Sequence, residues 1–400
     1  MNGDRVGDGN ESPYDDVKRE AFELEERIVH WRRDFHSHPE IAYQEKRTGE
    51  KIVEYLKGLD IQVTRTAGTG VKGVLQGLPG GKTVALRADM DALPLSEEGE
   101  KPYISRNPGA AHACGHDGHM AVLMGAAEIL RRRREHFKGR VVFLFQPAEE
   151  RSPGGAVKMV EEGVLEGVDA VFGLHFWQPM PTGTVGLVRG PMMAQTDDFT
   201  IRVRGSGGHG AMPHQAVDTI LAAAQIIVSM QSVVSRSVDP LKPAVLSFGT
   251  VHGGTVYNII PSEVVLSGTL RALEPEVMGL LEKRLRAVTH QTARAFGAEA
   301  EVDYVSGFPP VVNHPGMSDG VLDVVRRTLG DERIRDIAPV MGGEDFAYYL
   351  QKVPGAFLFF GMGTGQPWPH HHPRFDMDES ALPEAVEVMS CIALDFLKGW

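Results

Sequence analysis

The length, composition and charge of the chain exclude several classes of protein. Its 400 residues are too many for one ordinary hydrophobic core, so we expect two domains. A hydrophobic fraction of 42% and a charged fraction of 24% are typical of a soluble globular protein. The formal net charge of −12 argues against a nucleic-acid partner, because little positive charge is left to neutralise a phosphate backbone.

Cysteine content and hydropathy indicate the cellular compartment. The two cysteines, Cys114 and Cys391, are too few for a disulfide framework. The segment up to about Asp16 is polar and offers no apolar stretch that could serve as a signal peptide. No uninterrupted apolar run reaches the ~20 residues that a membrane-spanning helix needs. The sequence therefore predicts a cytoplasmic protein with no membrane partner.

Four short apolar runs of strand length are each followed by acidic or imidazole side chains. Helical segments precede and separate them, beginning with residues 16–35 and 48–59. Continuous apolar strands separated by helices indicate a mostly parallel sheet covered on both faces. Functional sites of such sheets lie beyond the carboxyl ends of the strands. The runs and the residues that follow them are Thr83–Ala88 with Asp89 and Asp91, Arg140–Phe145 with Glu149 and Glu150, Asp169–Leu174 with His175, and Ala356–Phe360 with His370, His371 and His372.

The middle of the chain has a different pattern. Residues 198–204 and 300–305 alternate apolar and polar side chains, as half-exposed strands do. With the helices and strands between them they give the order β-α-β-β-α-β, which suggests a ferredoxin-like module. We therefore predict an α/β chain in which a mostly parallel-sheet domain, residues 1–193 and 308–400, carries an inserted α+β ferredoxin-like domain, residues 194–307.

A nine-residue segment beginning at Ala111 holds three histidines, a cysteine and an aspartate. The apolar run that follows, residues 120–130, predicts a buried helix with Asp117 as its N-cap. Cys114 and His116 would then stand in the loop before the helix, on the same side of an extended backbone. A thiolate and an imidazole together make half of a transition-metal site. Alternatively, Cys114 is an ordinary buried cysteine and the histidines have capping or packing roles.

Glu149 and Glu150 are adjacent carboxylates that follow a predicted strand. In extended backbone, neighbouring side chains point to opposite sides, so the two would have different tasks. One can bind a metal while the other transfers protons. The alternative is that both are surface glutamates that cap a helix.

Several motifs along the chain resemble those of the M20 metallopeptidases. The similarity is greatest to the amidohydrolase branch, which holds hippurate hydrolases, N-acyl-amino-acid amidohydrolases, plant auxin-conjugate hydrolases and some bacterial carboxypeptidases. It extends from about His36 to the C-terminus. The motifs are His112-Ala-Cys-Gly-His-Asp-Gly-His119, Gln146-Pro-Ala-Glu-Glu150, Gly173-Leu-His175, Gly342-Gly-Glu-Asp-Phe346 and His371-His-Pro-Arg-Phe375.

By this resemblance, two divalent metals would be bound by five side chains: Cys114, His116, Glu150, His175 and His371. Five ligands suit two metals with open positions better than one closed tetrahedral site. The family pattern of histidine, any residue and proline selects His371 from the three consecutive histidines. A thiolate favours zinc, and relatives use manganese, cobalt or nickel as well. His112 and His119 would orient other groups or have structural roles.

The resemblance assigns proton transfer to Glu149, which would deprotonate a water activated by the metals and later protonate the leaving amine. Asp91 would orient a metal-binding imidazole, although a cap or turn role is also open. Asp89 occupies the position at which the wider superfamily has a histidine ligand, so the resemblance does not assign Asp89 as a metal ligand. Glu344 and Asp345 are either site residues or the start of a helix.

Three further candidates, His209, Asn258 and Arg271, lie in the inserted domain. In the resembling family the matching histidine stabilises the developing oxyanion, and the Asn and Arg help to bind the substrate's carboxylate. These groups often act from the neighbouring subunit, so the resemblance implies a homodimer or larger homo-oligomer. It also implies a catalytic main domain and an inserted lid, with Gly190–Ala194 and Ser306–Pro310 as hinges. Without the resemblance, His209 could equally be an ordinary loop residue or a site residue, and Arg271 would more often be a surface residue of a strand.

The sequence thus predicts a dinuclear metal-dependent amidohydrolase that cleaves N-acyl amino acids or the C-terminal bond of short peptides. Two other classes stay open. One is a non-catalytic protein that binds divalent metal, which would not need a second carboxylate beside a metal ligand. The other is a hydrolase with Cys114 as its nucleophile, which would not depend on a divalent ion.

Overall fold

The computed structural model describes residues 13–400. The prediction that the chain has no signal peptide rests on the polar segment up to about Asp16. Positions 1–12 of that segment lie outside the described residues. Contacts divide the chain into two compact units. The first comprises the chain up to Gly190, Asn313–Ile337 and Tyr348–Trp400, and the second comprises Pro191–Val312 and Ala338–Ala347. Domain boundaries at residues 194 and 307 stay a prediction.

The elements are named in chain order. The helices are α1 (Pro13–Glu23), α2 (Glu25–Ser37), α3 (Lys46–Gly58), α4 (His116–Arg132), α5 (Gly155–Glu161), α6 (Thr219–Ser237), α7 (Pro275–Ala295), α8 (Pro315–Thr328), α9 (Ala347–Leu350) and α10 (Leu382–Lys398). The strands are β1 (Gln62–Thr66), β2 (Gly70–Gln76), β3 (Leu78–Asp89), β4 (Lys138–Gln146), β5 (Ala170–Pro181), β6 (Val185–Gly186), β7 (Gly190–Met193), β8 (Gln195–Arg204), β9 (Gly208–His209), β10 (Ala244–Gly253), β11 (Ile259–Ile260), β12 (Glu263–Ala272), β13 (Glu299–Ser306), β14 (Val311–Asn313), β15 (Ile334–Arg335) and β16 (Gly355–Gly363).

An eight-stranded sheet forms the centre of the first unit, in the order β1-β2-β4-β3-β5-β16-β6-β15. The four central strands, β4, β3, β5 and β16, pair in parallel, whereas β1 and β2 run antiparallel to their neighbours. The central strands are buried over most of their length, as strands of a parallel sheet are. This arrangement confirms the predicted α/β class with a mostly parallel sheet.

Helix α4 is buried along nearly its whole length, from His116 to Leu130. It packs against β3, α2 and α10. The contact with α10 requires a small residue, since a Cβ added at Gly125 would stand 2.8 Å from Val386 Cγ2. Each large aliphatic side chain buried in this layer stabilises the fold by ~1.5–3 kcal/mol. The predicted buried helix is therefore present, and its first turn has a fixed position next to the sheet.

The start of α4 differs from the prediction. His116 is already the first residue of the helix, and Gly115, with φ 97°, precedes it. A glycine takes this left-handed conformation without steric cost, so it ends the loop that carries Cys114. Asp117 does not cap the helix, because its carboxylate lies 2.8 Å from Arg32 Nε and 2.7 Å from His36 Nδ1.

Strand β5 is longer than predicted. It continues past Leu174 to Pro181, so His175 lies inside the strand and not beyond its carboxyl end. The strand continues because β16 pairs with it in parallel, with Phe359 opposite His175. The apolar run in the sequence therefore predicts too short a strand, because the second half of β5 is held by its pairing with β16.

The second unit is built on a four-stranded antiparallel sheet in the order β10-β12-β8-β13. Its main elements follow one another as β8, α6, β10, β12, α7 and β13, which is the predicted β-α-β-β-α-β order. Buried residues of α6 recur at helical spacing, for example Ala222, Ile226 and Met230, and belong to the core of this unit. The predicted α+β ferredoxin-like module is therefore confirmed.

Helix α6 is the one described helix that is long and apolar enough, by length and composition alone, to cross a membrane. The sequence prediction concerned an uninterrupted apolar run, and the apolar run of α6 is interrupted by polar residues such as Gln225 and Ser229. In the structure one face of α6 packs into the core of the second unit. On its remaining surface Ile220, Leu221 and Val228 are 50%, 52% and 64% exposed.

Candidate metal centre

Potential metal ligands from several segments of the first unit meet at one place. In each of three groups the ligand atoms lie within 4.8 Å of one another. Because these groups share members they form one cluster, and all five side chains predicted to bind metal belong to it. The groups are Cys114, His116 and His175; Cys114, Glu150 and His371; and His116, Glu149 and Glu150.

His116 presents one ring nitrogen to this cluster. Its Nδ1 lies 2.8 Å from the carbonyl oxygen of Asp91, so Nδ1 carries a proton and donates it. The other nitrogen, Nε2, is buried and has no hydrogen-bond partner among the described residues. Burial alone would lower the pKa of His116, but the nearby carboxylates of Asp89 and Asp91 raise that pKa to about 10. The surroundings therefore favour a positive charge at Nε2, which a divalent ion would supply.

His175 and Cys114 lie side by side in the same cluster. His175 Nδ1 is 2.6 Å from the carbonyl oxygen of Phe176, which leaves the lone pair on Nε2, 3.5 Å from Cys114 Sγ. Burial raises the pKa of the Cys114 thiol well above its ordinary value, and the carboxylates of Glu150 and Glu149 raise it further. A thiolate forms here only where a cation compensates, so the surroundings fit a metal ligand better than an unassisted nucleophile.

His371 is the member of the histidine tract that joins the cluster. Its Nε2 lies 3.2 Å from Glu150 Oε1, and its backbone N–H donates to the carbonyl oxygen of Ala113 at 2.8 Å. This bond joins the histidine turn to the segment that carries the cysteine ligand. The ring of His370 instead lies 2.9 Å from a backbone carbonyl oxygen, and the ring of His372 stacks on a tryptophan.

Asp89, His116 and His119 also lie close together, but His119 has no lone pair left for a metal. Its Nδ1 is 2.6 Å from Asp89 Oδ1, and its Nε2 accepts the backbone N–H of Phe176 at 2.9 Å. Burial would raise the pKa of Asp89, but the charge of Arg87, 2.7 Å away, lowers it well below its ordinary value. Asp89 therefore acts here as a permanent carboxylate that orients His119.

His112 does not belong to any of these groups. It is buried, and neither ring nitrogen has a hydrogen-bond partner among the residues that the structure covers. Burial lowers its pKa to about 3, so the ring is neutral near pH 7. These features indicate a packing role.

Asp91 holds the turn that carries the two adjacent glutamates. Its Oδ1 accepts the backbone N–H of Glu149 at 2.9 Å, and its Oδ2 accepts that of Glu150 at 3.0 Å. The imidazole of His116 is oriented by the carbonyl oxygen of Asp91, while the carboxylate oxygen is 3.5 Å from the ring nitrogen. Asp91 thus positions both a histidine and the glutamate backbone.

The two glutamates do not point to opposite sides, as extended backbone would require. They lie in a turn after β4, and a carboxylate oxygen of each is 4.0 Å from His116 Nε2. Glu149 is 7% exposed, so its carboxylate is largely shielded from solvent. The arrangement places a second carboxylate directly beside a candidate metal ligand.

The comparisons with known proteins agree with this geometry. The family model described as "Peptidase family M20/M25/M40" matches residues 85–395. The chain belongs to this family. It is a metal-dependent hydrolase that acts on carbon–nitrogen bonds of amides or peptides.

Three relatives illustrate the range of the family. The chain is 43% identical over 363 residues to a protein of Bacillus subtilis named N-acetyl-L-cysteine deacetylase, covering 90% of this chain and 86% of that one. It is 37% identical to thermostable carboxypeptidase 1 of Saccharolobus solfataricus, with 95% and 98% covered. A crystal structure of a dinuclear metal-binding peptidase of the M20 family from Bacillus subtilis superposes with a TM-score of 0.83 at 36% identity, covering 95% and 99%.

In the second unit of this M20 family member, His209 and Asn258 lie close together. Strands β9 and β11 pair His209 with Ile259, and the N–H of Gly210 donates to the carbonyl oxygen of Asn258 at 2.9 Å. The ring of His209 accepts a backbone N–H at Nδ1, so in the neutral ring Nε2 carries the proton. Both side chains are exposed.

Arg271 is not near this pair. It lies at the far end of β12 from the β9–β11 ribbon, and its Nη1 donates to the carbonyl oxygen of Met341 at 3.1 Å. The eight steps along the chain from Glu263 to Arg271 span ~26 Å of extended strand. Within one chain, these residues therefore cannot contact the same small molecule.

Glu344 and Asp345 are buried residues of the second unit. Glu344 Oε1 accepts the backbone N–H of Phe346 at 2.8 Å, one residue before α9. This bond fits the start of a helix, which is one of the two roles left open for the pair.

Arg87 and Glu45 are among the buried charged residues that were not singled out from the sequence. Arg87 has the clearer signal, since it is an arginine inside an apolar strand with Asp89 two residues later, on the same face. The sequence contains no signal for Glu45, because a glutamate directly before a helix is an ordinary helix-start residue. Its contact with Ala148, 103 positions away, exists only in the folded chain.

Proposed function

We propose that the chain is a dinuclear amidohydrolase that cleaves the amide bond of N-acyl amino acids or the C-terminal bond of short peptides. The observation that carries the proposal is the cluster of three overlapping ligand groups with Glu149 at its edge. The names of the relatives, a deacetylase and a carboxypeptidase, support these two substrate classes. Both reactions release a carboxylic acid and an amine from one carbon–nitrogen bond.

The side chains that would hold two metals are Cys114, His116, Glu150, His175 and His371. Their sulfur, nitrogen and oxygen donors suit zinc, manganese, cobalt or nickel better than calcium or magnesium. When bound, the ions would polarise the amide carbonyl and lower the pKa of water from ~15.7 toward ~7. The buried, unpaired Nε2 of His116 and the raised pKa of Cys114 support the assignment, because both are relieved by a cation.

Glu149 would move the proton. Its carboxylate lies 4.0 Å from His116 Nε2, at the edge of the cluster, so it can take a proton from the attacking water. The same carboxyl would then protonate the nitrogen of the leaving amine when the carbon–nitrogen bond breaks. Asp91 supports this role by holding the backbone N–H of Glu149.

Substrate binding would involve the second unit. Nε2–H of His209 would stabilise the developing oxyanion, Asn258 would lie beside it, and Arg271 would bind the substrate's carboxylate bidentately. Since His209 and Arg271 are separated by most of β12, one site would take them from two different chains. We therefore propose a homodimer joined through the second unit.

The exposed apolar side chains of α6 support this interface. Ile220, Leu221 and Val228 are at least half exposed, and β10 is an edge strand of its sheet with unpaired backbone groups on one side. A second copy could cover both features at once by a two-fold contact. The role of the inserted domain as a lid and the cytoplasmic location stay predictions from the sequence.

Chelation followed by metal add-back tests the proposed function. The substrates are N-acetyl and N-benzoyl amino acids and dipeptides, and the added ions are Zn²⁺, Mn²⁺, Co²⁺ and Ni²⁺ in turn. We expect hydrolysis to disappear on chelation and to return when at least one of these four metals is added. The restored protein should bind two ions per chain. Hydrolysis that survives complete removal of metal would contradict the proposal and favour the Cys114 nucleophile.

A further inference from the structure

Glu45 joins two distant segments of the first unit. It is fully buried at the N-terminus of α3. Its Oε1 accepts two backbone N–H groups, from Tyr43 at 3.0 Å and from Ala148 at 2.9 Å. Its Oε2 accepts the hydroxyl of Thr69 at 2.6 Å. One carboxyl group therefore holds the residue that directly precedes Glu149.

Both N–H donors belong to residues with an uncommon backbone conformation. Tyr43 has φ 63° and Ala148 has φ 55°, the left-handed region that residues with a Cβ avoid. Such a conformation persists only where the surroundings determine it, and it is concentrated at functional sites. The bond to Oε1 is the common feature of these two residues. It therefore fixes the direction in which the chain enters the turn after β4.

We propose that Glu45 is a positioning residue for the carboxylate of Glu149. It acts through the peptide N–H of Ala148, while Asp91 holds the two N–H groups that follow. Three consecutive amides are thus held by two buried carboxyl groups from elsewhere in the chain. This inference rests on the proposed function, since it concerns the residue that transfers the proton, and it adds the group that orients it.

The contacts show that geometry, not charge, is the property of Glu45 that matters. Oε1 accepts its two hydrogen bonds whether the carboxyl is ionised or not. Burial raises the pKa of Glu45 to about 7, so a large fraction of molecules carries it protonated at neutral pH. Glutamine keeps the length of the side chain and its Oε1, whereas aspartate keeps the charge but is one methylene too short to reach Ala148.

Kinetics of the metal-loaded variants E45Q and E45D separate these properties. We expect kcat of E45Q to stay within about threefold of the parent, because the acceptor is kept. We expect kcat of E45D to fall by about tenfold or more, with KM and bound metal nearly unchanged and the pH profile of kcat displaced. The reverse order, an active E45D and an inactive E45Q, would overturn the proposal.

The chain offers a control in Glu162. Its Oε2 accepts the backbone N–H of Ala67, which has φ 48°, and the hydroxyl of Thr66, so Glu162 also holds a residue in the left-handed region, but from an exposed position. The turn that Glu162 holds carries neither a proposed metal ligand nor Glu149, but it contains Thr69, which donates its hydroxyl to Glu45 Oε2. Because Glu45 and Thr69 both keep their side chains in E162D, we expect kcat to fall by much less than in E45D. A loss equal to that of E45D would mean that any such contact affects turnover.

Hydrogen exchange of the backbone amides tests the contact without any turnover. In E45D we expect the Ala148 amide to exchange about tenfold faster and in E45Q at the parent rate, whereas in E162D the Ala67 amide should change more than the Ala148 amide. If the parent hydrolyses no substrate, the proposed function fails, but exchange still decides whether Glu45 holds the turn. An unchanged Ala148 amide in E45D would overturn the positioning role.

A second variant keeps the test decisive if E45D does not fold. T69V removes the hydroxyl that orients Oε2 and leaves Glu45 itself in place. We expect faster exchange at Ala148 and a reduced kcat, both smaller than for E45D. Exchange and kcat equal to those of the parent would then contradict the proposal.

Discussion

Arg87 and Asp89 form an ion pair in which Nη1 and Oδ2 lie 2.7 Å apart and neither side chain is exposed. The guanidinium also donates from Nε to Gln146 Oε1 at 2.8 Å, so it links β3 to β4. Asp89 in turn holds His119. Arg87 therefore fixes one negative charge beside the cluster of candidate ligands, although Arg87 itself is not a candidate ligand.

Removal of the cation from this pair should destabilise the fold strongly. R87M leaves Asp89 buried without its charged partner, so we expect the free energy of unfolding to fall by ~3–5 kcal/mol. Urea unfolding of the metal-free protein measures it. The control is R189M, which removes the cation of an exposed ion pair: Arg189 is 55% and its partner Asp319 56% exposed. The free energy of unfolding of R189M should fall by at most ~1 kcal/mol. Equal losses in the two variants would contradict this view of the buried pair.

Glu149 should be needed for turnover but not for metal binding. In E149Q the amide cannot accept and return a proton, so we expect kcat to fall by ~10²–10⁴-fold. Because the five proposed ligands are untouched, bound metal measured by mass spectrometry should stay near two ions per chain. E161Q, a change at an exposed glutamate of α5, controls for the loss of a carboxylate. Turnover at the parent rate in E149Q would refute the proton-transfer role.

The three consecutive histidines should differ sharply in their effect on metal binding. His371 lies 3.2 Å from Glu150, so H371A removes a proposed ligand, and we expect affinity for one of the two ions to fall by at least about tenfold. His372 stacks on Trp368, with ring centroids 4.6 Å apart, and H372A should keep both ions. Equilibrium dialysis against Zn²⁺ compares the two. If H372A loses metal and H371A does not, the family pattern has been placed one residue out of register.

Glu387 of α10 should make stability depend on pH. It is 1% exposed and its Oε2 has no hydrogen-bond partner within the described chain. Burial raises its pKa to about 7, although Lys18 lowers it. The folded state thus binds this proton more tightly than the unfolded state does. Stability is therefore highest below the unfolded pKa, near 4.5, and is lost as pH rises through about 7.

Replacement of Glu387 by glutamine removes this loss. Between pH 5 and pH 8 we expect the free energy of unfolding of the parent to fall by about 2 kcal/mol relative to E387Q. Urea unfolding at both pH values measures the difference. E135Q, at an exposed position, controls for the removal of one carboxylate. A difference that grows in the opposite direction would mean that Glu387 is ionised and stabilising in the folded chain.

The features predicted successfully are those that local pattern determines. Apolar runs of strand length gave the central parallel strands, and alternation gave the strands of the ferredoxin-like module. The chain positions of the candidate ligands came from motifs, and the structure brings these residues together. Each of these signals lies within a few consecutive residues, so a single sequence contains it.

The features that were missed depend on contacts between distant segments. Asp117 looks like a helix cap until Arg32, 85 positions earlier, is seen to take its carboxylate. His175 looks like the end of a strand until β16 is placed beside it. The turn at Glu149 looks extended, because its conformation is set by carboxyl groups that precede it by more than 50 residues. No local periodicity records such pairings.

The separation of His209 and Arg271 along β12 has a consequence for mixtures of variants. If each centre takes the histidine from one chain and the arginine from the other, H209A and R271A are each inactive alone. After subunit exchange, half of the assemblies are heterodimers, and in each of these one centre receives both intact residues. An equal mixture of the two inactive variants is then expected to recover about a quarter of the parent activity.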